Sequence, residues 1–461
     1  MLYRDIRDHA DLLSSAGRAA SRRDRMVGGA GGTGQLAWLR GQRSGGICPV
    51  CYDKGPHSLQ LTVPSSIIAG RQVVFARCRR CDCRFVLDYR PAAYDQTPGG
   101  DAPLRFYVEQ GAGIEFLARS LFVAAQKPVR NYLDVGCGFG FGPDMASRIL
   151  GWDALGLDPG PLADAGREML GIRIESDHLS AGVTPFGAPY DAIVALEVIE
   201  HVADPHDFVA ALRRHVSTTG IVVLSTPNGR YLDTCPDGAM LMPVLSPGYH
   251  AVLYTAEGLA ALLRKAGFSA VNVVPTQAAL FAVASPERQP LQADIGINEG
   301  RYIAYLRARF SESTRDSPIY IGFGYRLLRH LVARPAYDEA LLVFTDLREA
   351  IQVRLGIDIA RPLDVASDVL EAELAFADVP KKYPFCLAGL LHCRGTIAAS
   401  YERSKDIAAA CFLAARFAAN MLLRSLQAIG ISDGDLVALP ALAAGAMKIA
   451  VESRIDSSSF T

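Results

Sequence analysis

The sequence predicts an α/β protein built on an open parallel sheet, with a small cysteine-rich module before it and a mostly helical region after it. Three observations predict this. From Asn131 to Ser285, apolar strand-like runs alternate with helical spacings, the pattern of a parallel sheet with helices on both faces. Between residues 46 and 92 there are two Cys-x-x-Cys pairs among short alternating runs. From 286 to 461 apolar residues recur at helical spacing. A chain of 461 residues, half of them hydrophobic, has material for several cores.

Residues 1–45 are rich in arginine and glycine and predict a flexible tail, with Asp5–Arg25 able to form a short helix. The run Gly28–Gly34 is not a phosphate loop, because no Gly-Lys-Ser/Thr follows it. Next come Cys48-Pro-Val-Cys51 and Cys78-Arg-Arg-Cys81, separated by 26 residues. Each pair can place two thiolates on one tetrahedral ion, so 46–92 reads as a zinc ribbon with Cys48, Cys51, Cys78 and Cys81 as ligands. Cys83 is the alternative fourth ligand. Four thiolates leave no open position, so the zinc is expected to be structural. Leu59–Val63, Gln72–Ala76 and Arg84–Asp88 alternate as its strands. Pro91–Pro103 is expected to be a linker, and Leu104–Ala125 helical with a break at Gly111 and Gly113.

Tyr132–Val135 is the first strand of the central region, and Gly136, Gly138 and Gly140 follow as a tight turn into a helix opened by Pro143. Free N–H groups at such a helix start suit an anionic or polar ligand. The next strand, Asp153–Asp158, ends on Asp158, about 20 residues past the glycines, where a ribose-binding acid belongs. Helices are expected at Pro143–Leu150 and Pro161–Leu170, each closed by a glycine. Gly171–Glu175, Asp191–Leu196 and Gly220–Thr226 continue the sheet, and Ser269–Pro275 with Ala279–Ser285 closes it as an antiparallel pair. Asp204 and Thr255 are expected helix caps.

The glycine spacing is G-x-G-x-G rather than that of a dinucleotide site. The blocks Leu133–Gly140, Gly156–Asp158, Tyr190–Val202, Leu224–Asn228 and Tyr249-His250 leading to Leu263–Phe268 resemble the class I S-adenosylmethionine-dependent methyltransferases. The resemblance covers about residues 93–285. It implies a Rossmann-like seven-stranded methyltransferase domain and S-adenosyl-L-methionine as cofactor. Among its members the chain is similar to sugar C-methyltransferases and ubiquinone-biosynthesis-type methyltransferases, and some members carry an N-terminal ribbon. By resemblance, Asp134, Gly136, Gly138, Gly140 and Glu197 line the methionine side, Asp158 holds the ribose and Asp177 reaches the adenine amino group. Ser176 stands where the family has a glycine before that last acid. Tyr94 and Tyr107 fall in the region that caps the cofactor in related enzymes. His201 and His250 are the candidate catalytic residues, since imidazole titrates near neutral pH. Both have a packing alternative.

Residues 286–461 predict a helical accessory domain, with helices at Arg301–Phe310, Tyr325–Val332, Tyr337–Leu355, Leu363–Ala375, Leu387–Ala399 and Ile407–Ile429. It is a candidate protein-partner surface. Net charge is −1, which argues against a nucleic-acid binder. No apolar run is expected to span a membrane, and no secretory h-region is read. Paired cysteines without a disulfide framework predict a reducing, cytoplasmic setting. The leading expectation is methyl transfer to a small-molecule or sugar acceptor by in-line displacement. One alternative is an RNA methyltransferase that reads RNA through Arg71, Arg77, Arg79, Arg80 and Arg84 of the ribbon. The other is a non-catalytic scaffold.

Overall fold

The structure, a computed structural model, describes residues 36–92, 100–180, 187–235, 238–431 and 433–458. The helix expected over Asp5–Arg25, Tyr94 and most of the tail lie outside the described residues. The end of that tail is a correction. Ala37–Trp38 (β1) and Arg43–Ser44 (β2) pair antiparallel with His57–Pro64 (β3), so their backbone groups are held by a sheet. Gln72–Arg77 (β4) and Arg84–Val86 (β5) continue this sheet. Its last strand comes from far along the chain, where Val252 pairs with Phe85. The linker expected to end at Pro103 is shorter, because helix α1 (Asp101–Phe106) begins at Asp101 and puts Pro103 in its first turn. A π-turn, Tyr107–Gly111, follows, and Gly113 at φ 56° separates it from α2 (Ile114–Ala124).

Asn131–Val135 (β6) leads through the glycine turn into α3 (Phe141–Met145), which runs on as a π-turn to Leu150. Asp153–Leu157 (β7), α4 (Pro161–Leu170) and the short Ile174–Glu175 (β8) follow. The third strand is thus shorter than the expected Gly171–Glu175. Tyr190–Leu196 (β9), α5 (Pro205–His215) and Val216–Pro227 (β10) come next. Asp204 caps α5 by accepting from the N–H groups of His206 and Asp207. The chain then makes α6 (Tyr231–Thr234), α7 (Gly238–Leu245), β11 (Val252–Leu253) and α8 (Ala256–Lys265), the last capped by Thr255 on the Gly258 N–H. Ala270–Pro275 (β12) and Ala279–Ser285 (β13) complete the sheet in the order β12-β13-β10-β9-β6-β7-β8. The strands from β6 to β10 are parallel, and β13 is antiparallel to both its neighbours. The order reverses between β6 and β9, which makes the carboxyl ends of these two strands the switch point where open α/β sheets bind ligands.

Among the described residues eight α-helices follow the sheet: α9 (Glu299–Glu312), α10 (Pro318–Ala333), α11 (Tyr337–Leu355), α12 (Pro362–Leu370), α13 (Val379–Lys382), α14 (Leu387–Ser400), α15 (Lys405–Gln427) and α16 (Gly434–Ser458). Alternate residues of the central strands divide two cores between them. Tyr132, Ala192, Val194 and Val223 face the helical region, whereas Leu133, Ile193, Ala195 and Leu224 face α5, α8 and the cysteine module. The helix α15 is long and apolar enough, by length and composition, to cross a membrane, which corrects the expectation that no run reaches that length. Half of its apolar window is buried within the protein, in contact with α12, α14 and α16.

Candidate functional site

The switch point is assembled by backbone geometry. Gly136, Gly138 and Gly140 have φ of 70°, 54° and 90°, a region that side chains disfavour. Space forbids a side chain as well: a Cβ on Gly136 would lie 2.5 Å from Val198 Cγ2, and one on Gly138 2.8 Å from Tyr107 Oη. The turn is fastened to the next strand, with Gly136 N–H donating to Leu157 O at 2.8 Å. Asp158 lies beside it. Its carboxylate accepts from Gly138 N–H at 2.8 Å and Gly160 N–H at 2.7 Å. A carboxylate has further lone pairs, so these bonds leave acceptor capacity for hydroxyl groups.

Asp134 lies beneath the first turn of α3, 2% exposed, and takes a hydrogen bond from Tyr132 Oη at 3.1 Å. Gly142 makes room for it, since a Cβ there would be 1.9 Å from Asp134 Oδ2. Burial pushes the Asp134 carboxyl up to about 7, against the Tyr132 hydrogen bond and with help from the Asp158 charge. Glu197 adopts φ 55° just past β9, and its N–H reaches Ser225 O at 3.1 Å. Ser225 Oγ donates to Glu197 Oε1 at 2.7 Å. The glycine turn, Asp158 and Glu197 therefore share one edge of the sheet. Asp177 stands apart from them, exposed two residues past β8, with its carboxylate on the His178 N–H.

His201 and His250 come together on the side of the cysteine module, ring centroids 4.7 Å apart and edge to face. The His250 Nδ1 is 2.8 Å from Val244 O and the His201 Nδ1 is 3.3 Å from Tyr249 O, so each Nδ1 carries the proton. Tyr89 Oη donates to His201 O and lies as close to Tyr249 O, tying the two loops to the end of the module. Burial lowers His201 to about 4 and His250 to about 3. Glu200 is fully buried beside them, 3.8 Å from His201 Nε2, and neither carboxyl oxygen has a hydrogen-bond partner among the described residues.

The sulfur atoms of Cys48, Cys51, Cys78 and Cys81 converge within 4.8 Å of one another. The Cys48–Cys81 and Cys51–Cys78 contacts are 3.6 and 3.5 Å. Zinc–sulfur bonds of about 2.3 Å in a tetrahedron imply sulfurs about 3.8 Å apart, so the donor set fits zinc in type and spacing. Cys83 is elsewhere, buried against Thr255 Oγ1 and the Cys81 carbonyl. Four of the five arginines named for RNA reading are engaged by acids, Arg71 by Asp88, Arg79 by Asp53, and Arg77 and Arg84 by Asp82 and Asp233, while Arg80 is exposed. This pairing offsets much of the basic surface that an RNA reader would need. Sequence reasoning passed over Ser225 and Tyr89. Ser225, near the end of β10, could have been flagged as a polar residue in an apolar strand; Tyr89 carries no local signal.

Residues 109–273 match the family described as "Methyltransferase domain". The chain is similar to "Ubiquinone biosynthesis O-methyltransferase" of Roseobacter denitrificans, 32% identical over 150 residues, which is 30% of this chain and 60% of that one. The protein of the same name from Cereibacter sphaeroides is 29% identical over 176 residues, covering 36% of this chain and 70% of its own length. The chain thus spans 60% of the length of the Roseobacter relative. Among solved structures, an O-methyltransferase family protein from Burkholderia thailandensis superposes on 40% of this chain and 57% of its own, at TM-score 0.33 and 16% identity.

Proposed function

Residues 109–273 are a class I S-adenosylmethionine-dependent methyltransferase domain, and from that premise we propose that the protein methylates an oxygen of a small-molecule or sugar acceptor. The observation that carries this reading is the joining of Asp158 to the Gly138 N–H at the switch point of the sheet. Bound there, S-adenosylmethionine supplies a sulfonium methyl open to in-line attack. Asp158 accepts from the ribose hydroxyls, and the turn from Gly136 to Gly140 lets the backbone lie against ribose and methionine. Asp134 and Glu197 bound the methionine end, and Asp177 is assigned to the adenine amino group. The site serves to hold donor carbon and acceptor oxygen at attack distance. His201, with Nδ1 on the Tyr249 carbonyl, would offer Nε2 to take the proton of the acceptor hydroxyl. His250 packs behind that ring and fixes it.

Cys48, Cys51, Cys78 and Cys81 are assigned to one structural zinc ion, which fits a reducing, cytoplasmic setting. The oxygen acceptor follows the O-methyltransferase names of the relatives, and the acid-paired arginines of the module favour a small acceptor over RNA. The test is transfer of labelled methyl from S-adenosylmethionine to a panel of hydroxylated small molecules and sugars. Transfer to one of them should fall at least about 100-fold in His201→Ala, the scale of a lost general base, while cofactor binding persists. Undiminished transfer in that variant would remove His201 from the chemistry. Transfer only to RNA would overturn the acceptor class.

A further inference from the structure

Among the described residues, the helical region meets the cofactor edge at α3 and at the segment that carries Tyr107. Tyr107 opens the π-turn after α1, and its hydroxyl occupies the space that a Cβ on Gly138 would take. Its ring stacks on Phe141, the first residue of α3, with centroids 6.3 Å apart and planes 14° apart. Phe141 in turn meets Phe323 of α10 edge-on at 5.6 Å. The residues just after Tyr107 are gripped by Arg326 of α10 and by the turn that leads into α14, both beyond the matched residues 109–273. Arg326 Nη1 donates to Val108 O and, at 3.0 Å, to Gly322 O. Gly322 allows that approach, since a Cβ on it would lie 2.3 Å from Val108 O. Glu109 is fully buried, and its Oε2 accepts from Phe385 N–H at 2.7 Å. On the other flank, Asp144 of α3 is clasped by Arg309 and by Tyr305 Oη at 2.6 Å, both from α9.

We propose that the C-terminal helical region is a wall of the cofactor site, with Glu109 and Arg326 as positioning residues that hold Tyr107 over Gly138. This rests on the methyltransferase reading and adds a role for residues 286–461. Neither positioning residue need touch the cofactor. Both act by fixing the backbone on which Tyr107 stands, and the same contacts make the cofactor site depend on helices almost 280 residues away in sequence, as the 276-residue separation of Glu109 and Phe385 records.

The test is calorimetric titration of the full chain with S-adenosylmethionine, with cooperative melting checked for each variant. Glu109→Ala should weaken binding about tenfold. Glu109→Gln should stay within about twofold, because the amide oxygen can take the Phe385 N–H. In a Tyr107→Ala background, Glu109→Ala should cost less than about twofold more, since coupled residues are not additive. Arg326→Lys, which keeps the charge but not the two-carbonyl reach, should repeat the loss and the coupling, and carries the test if Glu109→Ala does not fold. Unchanged affinity in folded Glu109→Ala and Arg326→Lys would overturn the proposal and leave the methyltransferase reading intact. Equal losses with and without Tyr107 would also overturn it. A wild-type chain that binds no S-adenosylmethionine would overturn the reading itself, and the proposal with it.

Discussion

Asp134 shows how a single residue sets the cost of the site. A carboxyl with an ordinary value of 3.8 is raised to about 7 in the fold, mainly by burial. The folded protein therefore holds a proton that the unfolded chain has released. Stability present below about pH 4 is lost as pH rises toward 7, by up to about 4 kcal/mol for a shift of this size. Asp134→Asn keeps an oxygen for the Tyr132 hydroxyl and has no proton to lose. The melting temperature of this variant relative to wild type should climb by several degrees between about pH 4.5 and pH 8. A difference that stayed flat across that range would show that Asp134 does not titrate as described. At this scale the sequence was most legible. Positive φ at Gly136, Gly138 and Gly140 and the reach of Asp158 follow from local order, because the turn and the acid are each set by their own strand. The Glu109–Phe385 bond was not legible, since nothing local to Tyr107–Gly111 marks a partner in the turn before α14.

Among elements, the cysteine module is the instructive case. Its ligands were readable from Cys-x-x-Cys spacing alone, and the fold brings those four sulfurs together while leaving Cys83 to pack on Thr255. Its independence was not readable. Taken alone, the segment 46–92 looks like a self-contained unit, yet β11 completes its sheet, and Cys48, Cys78 and Phe85 share a core with Leu133, Ile193 and Leu263. Pairing across so many residues leaves no periodic trace at either end. Cys51→Ser should therefore release zinc and also lower the main melting transition, by about 5 °C or more, instead of producing a separate early transition. Full zinc content, measured by atomic emission, would contradict the ligand assignment. Loss of zinc with an unmoved main transition would contradict the shared core. The π-turns at Tyr107–Gly111 and Ala146–Leu150 and the helix Gly434–Ser458 also escaped sequence reading. A one-residue insertion leaves apolar spacing almost unchanged, and the alanine-rich α16 carries Pro440 inside it.

At the scale of the molecule, one sheet serves three regions. One face packs on the helical region and the other on α5, α8 and the cysteine module, so the cofactor edge is braced from both sides. The α/β alternation made the parallel sheet legible, because parallel strands buried on both faces write continuous apolar runs, whereas the strand order came only from the fold. The joining of the regions was not legible, since it depends on contacts such as Asp144 with Arg309 that pair residues 165 positions apart. The acceptor side rests on loops whose chemistry, unlike the glycine turn, has no fixed spacing.

The most direct measurement is calorimetric titration of the full chain with S-adenosylmethionine, wild type against Asp158→Ala. The account predicts micromolar binding by wild type and a loss of well over tenfold in the variant, since both ribose hydrogen bonds go to a charged acceptor. Equal affinity in the two would remove Asp158 from the site, and no binding by a folded, zinc-loaded wild type would contradict the cofactor site as a whole.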